Sequence, residues 1–137
     1  MDFSVQIREK GLKVTPARLS VIEVLSEGNQ AFAHAELEKI FDTMDRVTLY
    51  RILNDFEYVG LVHKIVDAEG ITRFALCKKS CPDKHHTDDH VHFNCQICHK
   101  MFCLDKVHEP QINLPNGFKA ERLQTLIYGL CNSCNAA

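Results

Sequence analysis

Two Cys-x-x-Cys pairs restrict this chain more than any other feature: Cys95-Gln-Ile-Cys98 and Cys131-Asn-Ser-Cys134. Each spacing makes a tight turn that aims two thiolates at one point, and two such turns complete a tetrahedral four-sulfur zinc shell. Four thiolates leave no coordination position for a substrate. The predicted site is therefore structural: it ties a C-terminal strand to the first strand of its domain, and metal binding contributes to folding. The competing reading, a pair of redox dithiols, lacks a thioredoxin-like βαβ pattern around either pair. All seven cysteines lie after residue 76. With no signal peptide the chain is expected in the cytoplasm, where an odd cysteine number argues for metal ligands rather than disulfides. No run of about 18 apolar residues is present, so no membrane partner is expected.

The cysteine-free half reads as helices. Thr15 followed by Pro16 gives an N-cap with proline at the first helical position. Leu19, Ile22 and Leu25 then repeat at helical spacing, widened by Val21 and Val24, up to the stop at Glu27-Gly28-Asn29. A second helix is predicted from about His34 to Thr43, with Leu37, Ile40 and Phe41 on one face. A third opens after Asp45 and ends at Gly60. At about 100° per residue, Leu49, Ile52, Leu53 and Phe56 cluster inward on this third helix. Val47, Tyr50, Arg51, Asn54 and Tyr58 lie on or near the opposite side. A guanidinium and an amide on that face can reach phosphates and base edges from a major groove. The strand-like runs LVHKIVD and ITRFALC, joined by Ala68-Glu69-Gly70, form a hairpin. Three helices followed by a hairpin make a winged helix whose third helix is the recognition helix.

Overall charge does not announce nucleic-acid binding, because 16 Lys+Arg stand against 18 Asp+Glu. The N-terminal stretch is locally basic, with Arg8, Lys10, Lys13 and Arg18 against Asp2 and Glu9. Residues 78–90, KKSCPDKHHTDDH, are polar and read as a linker or metal-rich loop. Beyond them VHFNC, KMFCLDKV and FKAERLQTLIYGLC read as strands. LQTLIYG is apolar enough to be buried on two sides, in a core or across a dimer seam.

The motifs GLKVTPAR, RVTLYRILNDFEYVGLV and HVHFNCQIC with the later CNSC together resemble the ferric uptake regulator (Fur) family of bacterial metal-responsive repressors, over nearly the whole length. The resemblance implies an α+β protein and a homodimer. It implies a winged helix-turn-helix DNA-binding domain over residues 1–77, a hinge and metal-rich linker over 78–90, and a small α/β dimerisation domain with the four-cysteine zinc site over 91–137. Carried over by position, Tyr50 and Arg51 contact a double-stranded DNA operator and Lys13 approaches a minor groove; Arg18, Thr48 and Asn54 complete the expected DNA-binding set.

The resemblance also implies a regulatory metal at the hinge. His63 and Cys77 resemble ligand positions of the zinc-sensing branch. His90 and His92 alternate along a strand and share a face, and Cys103 stands where the family usually has a carboxylate. The expected set is His63, Cys77, His92 and Cys103, with His90 as a fifth candidate; Cys81, His85, His86 and His99 lie nearby in sequence. Family positions usually held by a histidine and by an acidic residue fall on Ala31 and Ala75. A further histidine- and carboxylate-rich family site is expected to be absent, because its positions fall on Asp89, Val91 and Leu123. Thiolates with imidazoles favour Zn²⁺ over Fe²⁺ or Mn²⁺.

The function expected from these features is a zinc-responsive transcriptional repressor, activated for operator binding by the second zinc. Alternatives within the family are sensors of iron, manganese or peroxide. A zinc hydrolase, a dithiol oxidoreductase and a purely structural zinc protein that binds another protein are rivals of other classes. The chain has no His-Glu-x-x-His helix, no phosphate loop and no obvious general base. No enzymatic activity and no small organic substrate are therefore expected.

Overall fold

A computed structural model describes residues 2–76, 91–104, 106–108, 110–121 and 123–136. Cys77, Cys81, His85, His86 and His90 lie outside the described residues. The chain forms two compact units, residues 1–86 and 87–137.

The first unit begins with α1 (Phe3–Glu9), which sequence periodicity did not reveal because seven residues are too few to show a stripe. Its signals are local: the Asp2 carboxylate accepts from the Ser4 amide, and Ile7 is fully buried. In α2 (Pro16–Leu25) the Thr15 hydroxyl accepts from the Arg18 amide at 3.1 Å, as the Thr-Pro signature predicts. Gly28 and Asn29, both at positive φ, then turn the chain. A short strand, β1 (Gln30–Ala33), follows and was likewise unpredicted. In α3 (His34–Ile40) the helix stops three residues before the expected Thr43. Ala33 has no side-chain acceptor, so only half of a capping box forms: Glu36 Oε1 accepts from the Ala33 amide at 2.9 Å.

The recognition helix, α4 (Arg46–Tyr58), buries Leu49, Ile52, Leu53 and Phe56, the four residues the angular sorting turned inward. Asp45 occupies its N-cap position but makes no side-chain capping bond. The wing consists of β2 (Val62–Val66) and β3 (Thr72–Leu76), paired antiparallel, with β1 on the other side of β3. Asp67 Oδ1 accepts from the Glu69 and Ile71 amides at 2.9 Å each, and Gly70 at φ +84° closes the turn. Arg73 is buried, with Nη1 3.1 Å from Glu36 Oε1 and Nε 3.6 Å from Asp67 Oδ2, so one guanidinium fastens the wing to α3.

One apolar cluster joins Ile7, Val21, Ile22, Leu25, Phe32, Leu37, the four inward residues of α4, Leu61, Val62 and Phe74. Phe56 is fully buried in it. Phe56→Ala is expected to cost roughly 3–5 kcal/mol, from lost transfer energy plus a residual cavity. Urea titration followed by helical circular dichroism checks this; a loss under about 1 kcal/mol would show that α4 is not the keystone of this core.

The second unit has a three-stranded sheet. β4 (Val91–Cys95) pairs antiparallel with β5 (Met101–Leu104) and parallel with β6 (Thr125–Gly129). A four-residue helix, α5 (Asn132–Asn135), follows. In this chain β6 is not buried on two sides: Ile127 and Tyr128 are exposed, as is Leu130 just after the strand. Among the described residues, no helix is long and apolar enough to cross a membrane.

Candidate metal centre and nucleic-acid interface

The end of β4 delivers Cys95, and the chain then turns sharply to Cys98. His99 sits at φ +62°, and its amide donates to the Cys95 carbonyl at 3.0 Å, closing the knuckle. The Cys95 amide donates to the Lys100 carbonyl, and the Gln96 amide to the Gly129 carbonyl at 2.8 Å. That last bond fixes the end of β6 beside the knuckle, so Cys131 arrives two residues later and Cys134 follows through α5. The four Sγ atoms all lie within 4.8 Å of one another, with Cys98 and Cys131 3.9 Å apart. A tetrahedral Zn²⁺ with Zn–S near 2.3 Å puts its sulfurs about 3.8 Å apart. The donor set and its spacing fit zinc.

Burial disfavours a Cys95 thiolate, but amide donors from Cys131, Cys98 and Ile97 outweigh it and hold the thiol at about 5. The Cys131 amide reaches Cys95 Sγ at 3.5 Å. Cys134 is pushed up to about 12, first by its hydrogen bonds to Cys131 and Cys95 and then by burial. Ligation of a divalent cation would require all four sulfurs as thiolates, with release of the protons they carry.

The candidate regulatory ligands are only partly described. His92 and Cys103 are direct cross-strand partners in β4 and β5, and both are buried, at 0% and 7% exposure. Directly opposed residues of an antiparallel pair project from the same face. His63, on β2 of the first unit, faces Ala75 in register and is 4% exposed. Ala31 and Ala75 are buried and offer no donor atom. Among the described residues, the four cysteines of the knuckles are the only group of three or more donors within reach of one ion.

On the recognition helix, Thr48, Arg51 and Asn54 are exposed, as are Val47 and Tyr58. Among the described residues no carboxylate pairs with Arg51. Lys13 is exposed as well. Two residues of the expected DNA-binding set are engaged inside the domain. Arg18 bonds Asp55 Oδ2 at 3.0 Å and the Lys13 carbonyl at 2.7 Å, which braces α2 against α4. Tyr50 is half-buried, its ring 4.3 Å from that of His34 and its hydroxyl donating to Glu38 Oε1 at 2.5 Å. That hydrogen bond raises the Tyr50 phenol above its ordinary value. Burial lowers His34, against the pull of Glu38. Arg46, the first residue of α4, has a side chain 71% exposed and pairs with Glu38 at 3.1 Å, a contact the sequence does not reveal.

A winged helix and a sheet unit closed by two cysteine knuckles define a metal-binding protein with a surface-exposed recognition helix. The sequence matches the model of the Ferric uptake regulator family over residues 9–128, and the chain belongs to that family. It is 30% identical to the ferric uptake regulation protein of Escherichia coli, covering 95% of this chain and 88% of that one. It is 28% identical to the peroxide operon regulator of Bacillus subtilis, covering 94% and 88%. The crystal structure of the Vibrio cholerae ferric uptake regulator superposes with a TM-score of 0.64 at 26% identity, covering 95% of this chain and all of that one.

Proposed function

We propose that this protein is a zinc-responsive transcriptional repressor that binds double-stranded operator DNA as a homodimer. The observation that carries the metal preference is the buried His92–Cys103 pair. A thiol with an imidazole suits Zn²⁺, whereas Fe²⁺ and Mn²⁺ favour carboxylate and water. The proposed regulatory set is His63, Cys77, His90, His92 and Cys103, and the proposed structural set is Cys95, Cys98, Cys131 and Cys134. Zinc held by the structural set would supply a closed cross-link, and zinc held by the regulatory set a reversible one.

The chain's own residues do the rest. Thr48, Arg51 and Asn54 present donors and acceptors from α4, with Lys13 and Tyr50 beside them as phosphate or base contacts. His63 and Cys77 precede the linker in sequence, and His92 and Cys103 follow it. Joint ligation by both groups would favour one arrangement of the winged helix over others, a population shift that needs only differential affinity between the two states. The exposed Ile127 and Tyr128 of β6, with Leu130 just after it, supply an apolar strand edge for a second subunit. The protein acts in this reading as a regulator in the cytoplasm, without an enzymatic step.

The test is operator selection from a random duplex library, followed by titration with and without zinc. Zinc is expected to tighten binding on the order of a hundredfold, the upper range of ordinary allosteric coupling. Equal affinity in both conditions would remove the sensor. A larger response to iron or manganese, or zinc-insensitive release by peroxide, would place the protein with the other sensors of the family.

A further inference from the structure

A single carboxylate oxygen gathers two donors at the start of the recognition helix. Glu38 Oε1 lies 3.1 Å from Arg46 Nε and 2.5 Å from the Tyr50 hydroxyl. Arg46 is the first residue of α4, and Tyr50 follows it by one turn, so both project from the same edge of the helix. The Tyr50 ring is seated against His34, which in turn packs edge-on to Phe74 at 4.8 Å. The ring is therefore held, while its hydroxyl can change partner by rotation. At about 100° per residue, exposed Val47, Arg51 and Asn54 follow the pair around the outward face of the helix. Glu38 is thus a negative charge placed among the groups that would meet a polyanion.

We propose that Glu38 is a latch on the nucleic-acid face: it occupies Arg46 and Tyr50 in the free protein and yields both to phosphodiester oxygens when DNA docks. The inference rests on the DNA-binding reading above. Arg46 is largely exposed, so its bond to Glu38 is worth little in water and a phosphate can take the guanidinium from the carboxylate at small cost. Phosphate contacts of this kind set register and affinity but carry no base information. A carboxylate that competes for them weakens binding to every sequence alike. Retention on DNA then depends more heavily on the base-reading side chains, Arg51 and Asn54. The latch also makes Arg46 a DNA contact additional to the set read from the sequence.

The test uses the full-length, zinc-loaded protein and a pool of randomised-sequence duplexes across a salt series. Glu38→Gln removes the charge and keeps the shape; Glu38→Ala removes the side chain. Both are expected to bind the pool about tenfold more tightly at low salt, since a phosphate competitor is gone. Adding Arg46→Ala to either variant is expected to cancel most of that gain and to shallow the salt slope by about one. In parallel, tyrosinate absorbance should show Tyr50 titrating at lower pH in Glu38→Ala, with Tyr50→Phe identifying its transition. Glu38 variants that melt like the wild type yet bind the pool no more tightly would overturn the latch. So would an unshifted Tyr50 titration in Glu38→Ala. Wild-type protein that binds neither the pool at any salt nor any duplex selected from it, with zinc present, would instead bring down the DNA-binding reading and the latch with it.

Discussion

Cys131→Ser is expected to abolish the independent fold of residues 87–137 while leaving the winged helix intact. Among the described residues, the apolar cluster lies entirely in the first unit. Among its described residues, the second unit buries Val91 and Met101, but its other buried side chains are cysteines, His92 and Asn94. A unit this short with so little apolar interior falls below the size at which burial alone offsets chain entropy. Structural zinc in small domains contributes on the order of 10–16 kcal/mol of binding free energy at neutral pH, most of it realised as folding. Removing one thiolate also disturbs the turn that carries the Cys131 amide to Cys95 Sγ, a contact that helps hold the knuckles at their spacing. Metal analysis should show one fewer zinc per chain. Calorimetry should show the transition of the second unit gone and that of the first retained, and sedimentation should show the proposed dimer dissociated. A variant that loses its zinc yet melts cooperatively in both units would show that the sulfur centre is not structural.

The second large effect is expected at the His92–Cys103 pair. Cys103→Ser and His92→Gln should each remove one zinc per chain while the knuckle zinc stays. Zinc-stimulated DNA binding should then fall on the order of a hundredfold, to the affinity of the zinc-depleted protein. Serine nearly preserves the volume of a buried cysteine, so the sheet should survive; the thermal transition of Cys103→Ser checks that it does. Retention of both metals together with full zinc response would show that the regulatory ligands lie elsewhere.

How much of this was legible beforehand depends on the range of the forces concerned. The inward face of α4 was readable because helical geometry assigns Leu49, Ile52, Leu53 and Phe56 to one side regardless of context. The Thr15 cap was readable because its partner is three residues away. The helix α1 and strand β1 were not, since seven and four residues are too few for a period to emerge. The end of α3 moved inward because no local stop signal precedes Thr43, and the backbone of Phe41 leaves helical geometry under tertiary packing.

The site divides in the same way. The four knuckle cysteines announce themselves through spacing, since a Cys-x-x-Cys turn directs both sulfurs inward whatever surrounds it. Their convergence on one point depends on β6 running parallel beside β4, which brings Gly129 to Gln96. The outward place of Arg51 followed from helical angle alone. The engagement of Arg18 with Asp55, 37 residues away, and of Tyr50 with Glu38, 12 residues away, did not.

What the amino-acid order determined by itself is therefore the recognition stripe, the capped second helix and the paired sulfur turns, because bond geometry fixes which side chains point together within a turn or two. Only the tertiary structure decided which exposed-looking charges are already partnered, that His92 and Cys103 stand opposite one another, and that β6 keeps an apolar edge open. Those outcomes depend on strand register and on the packing of distant segments, where many pairings are locally equivalent and the burial of the whole chain selects one.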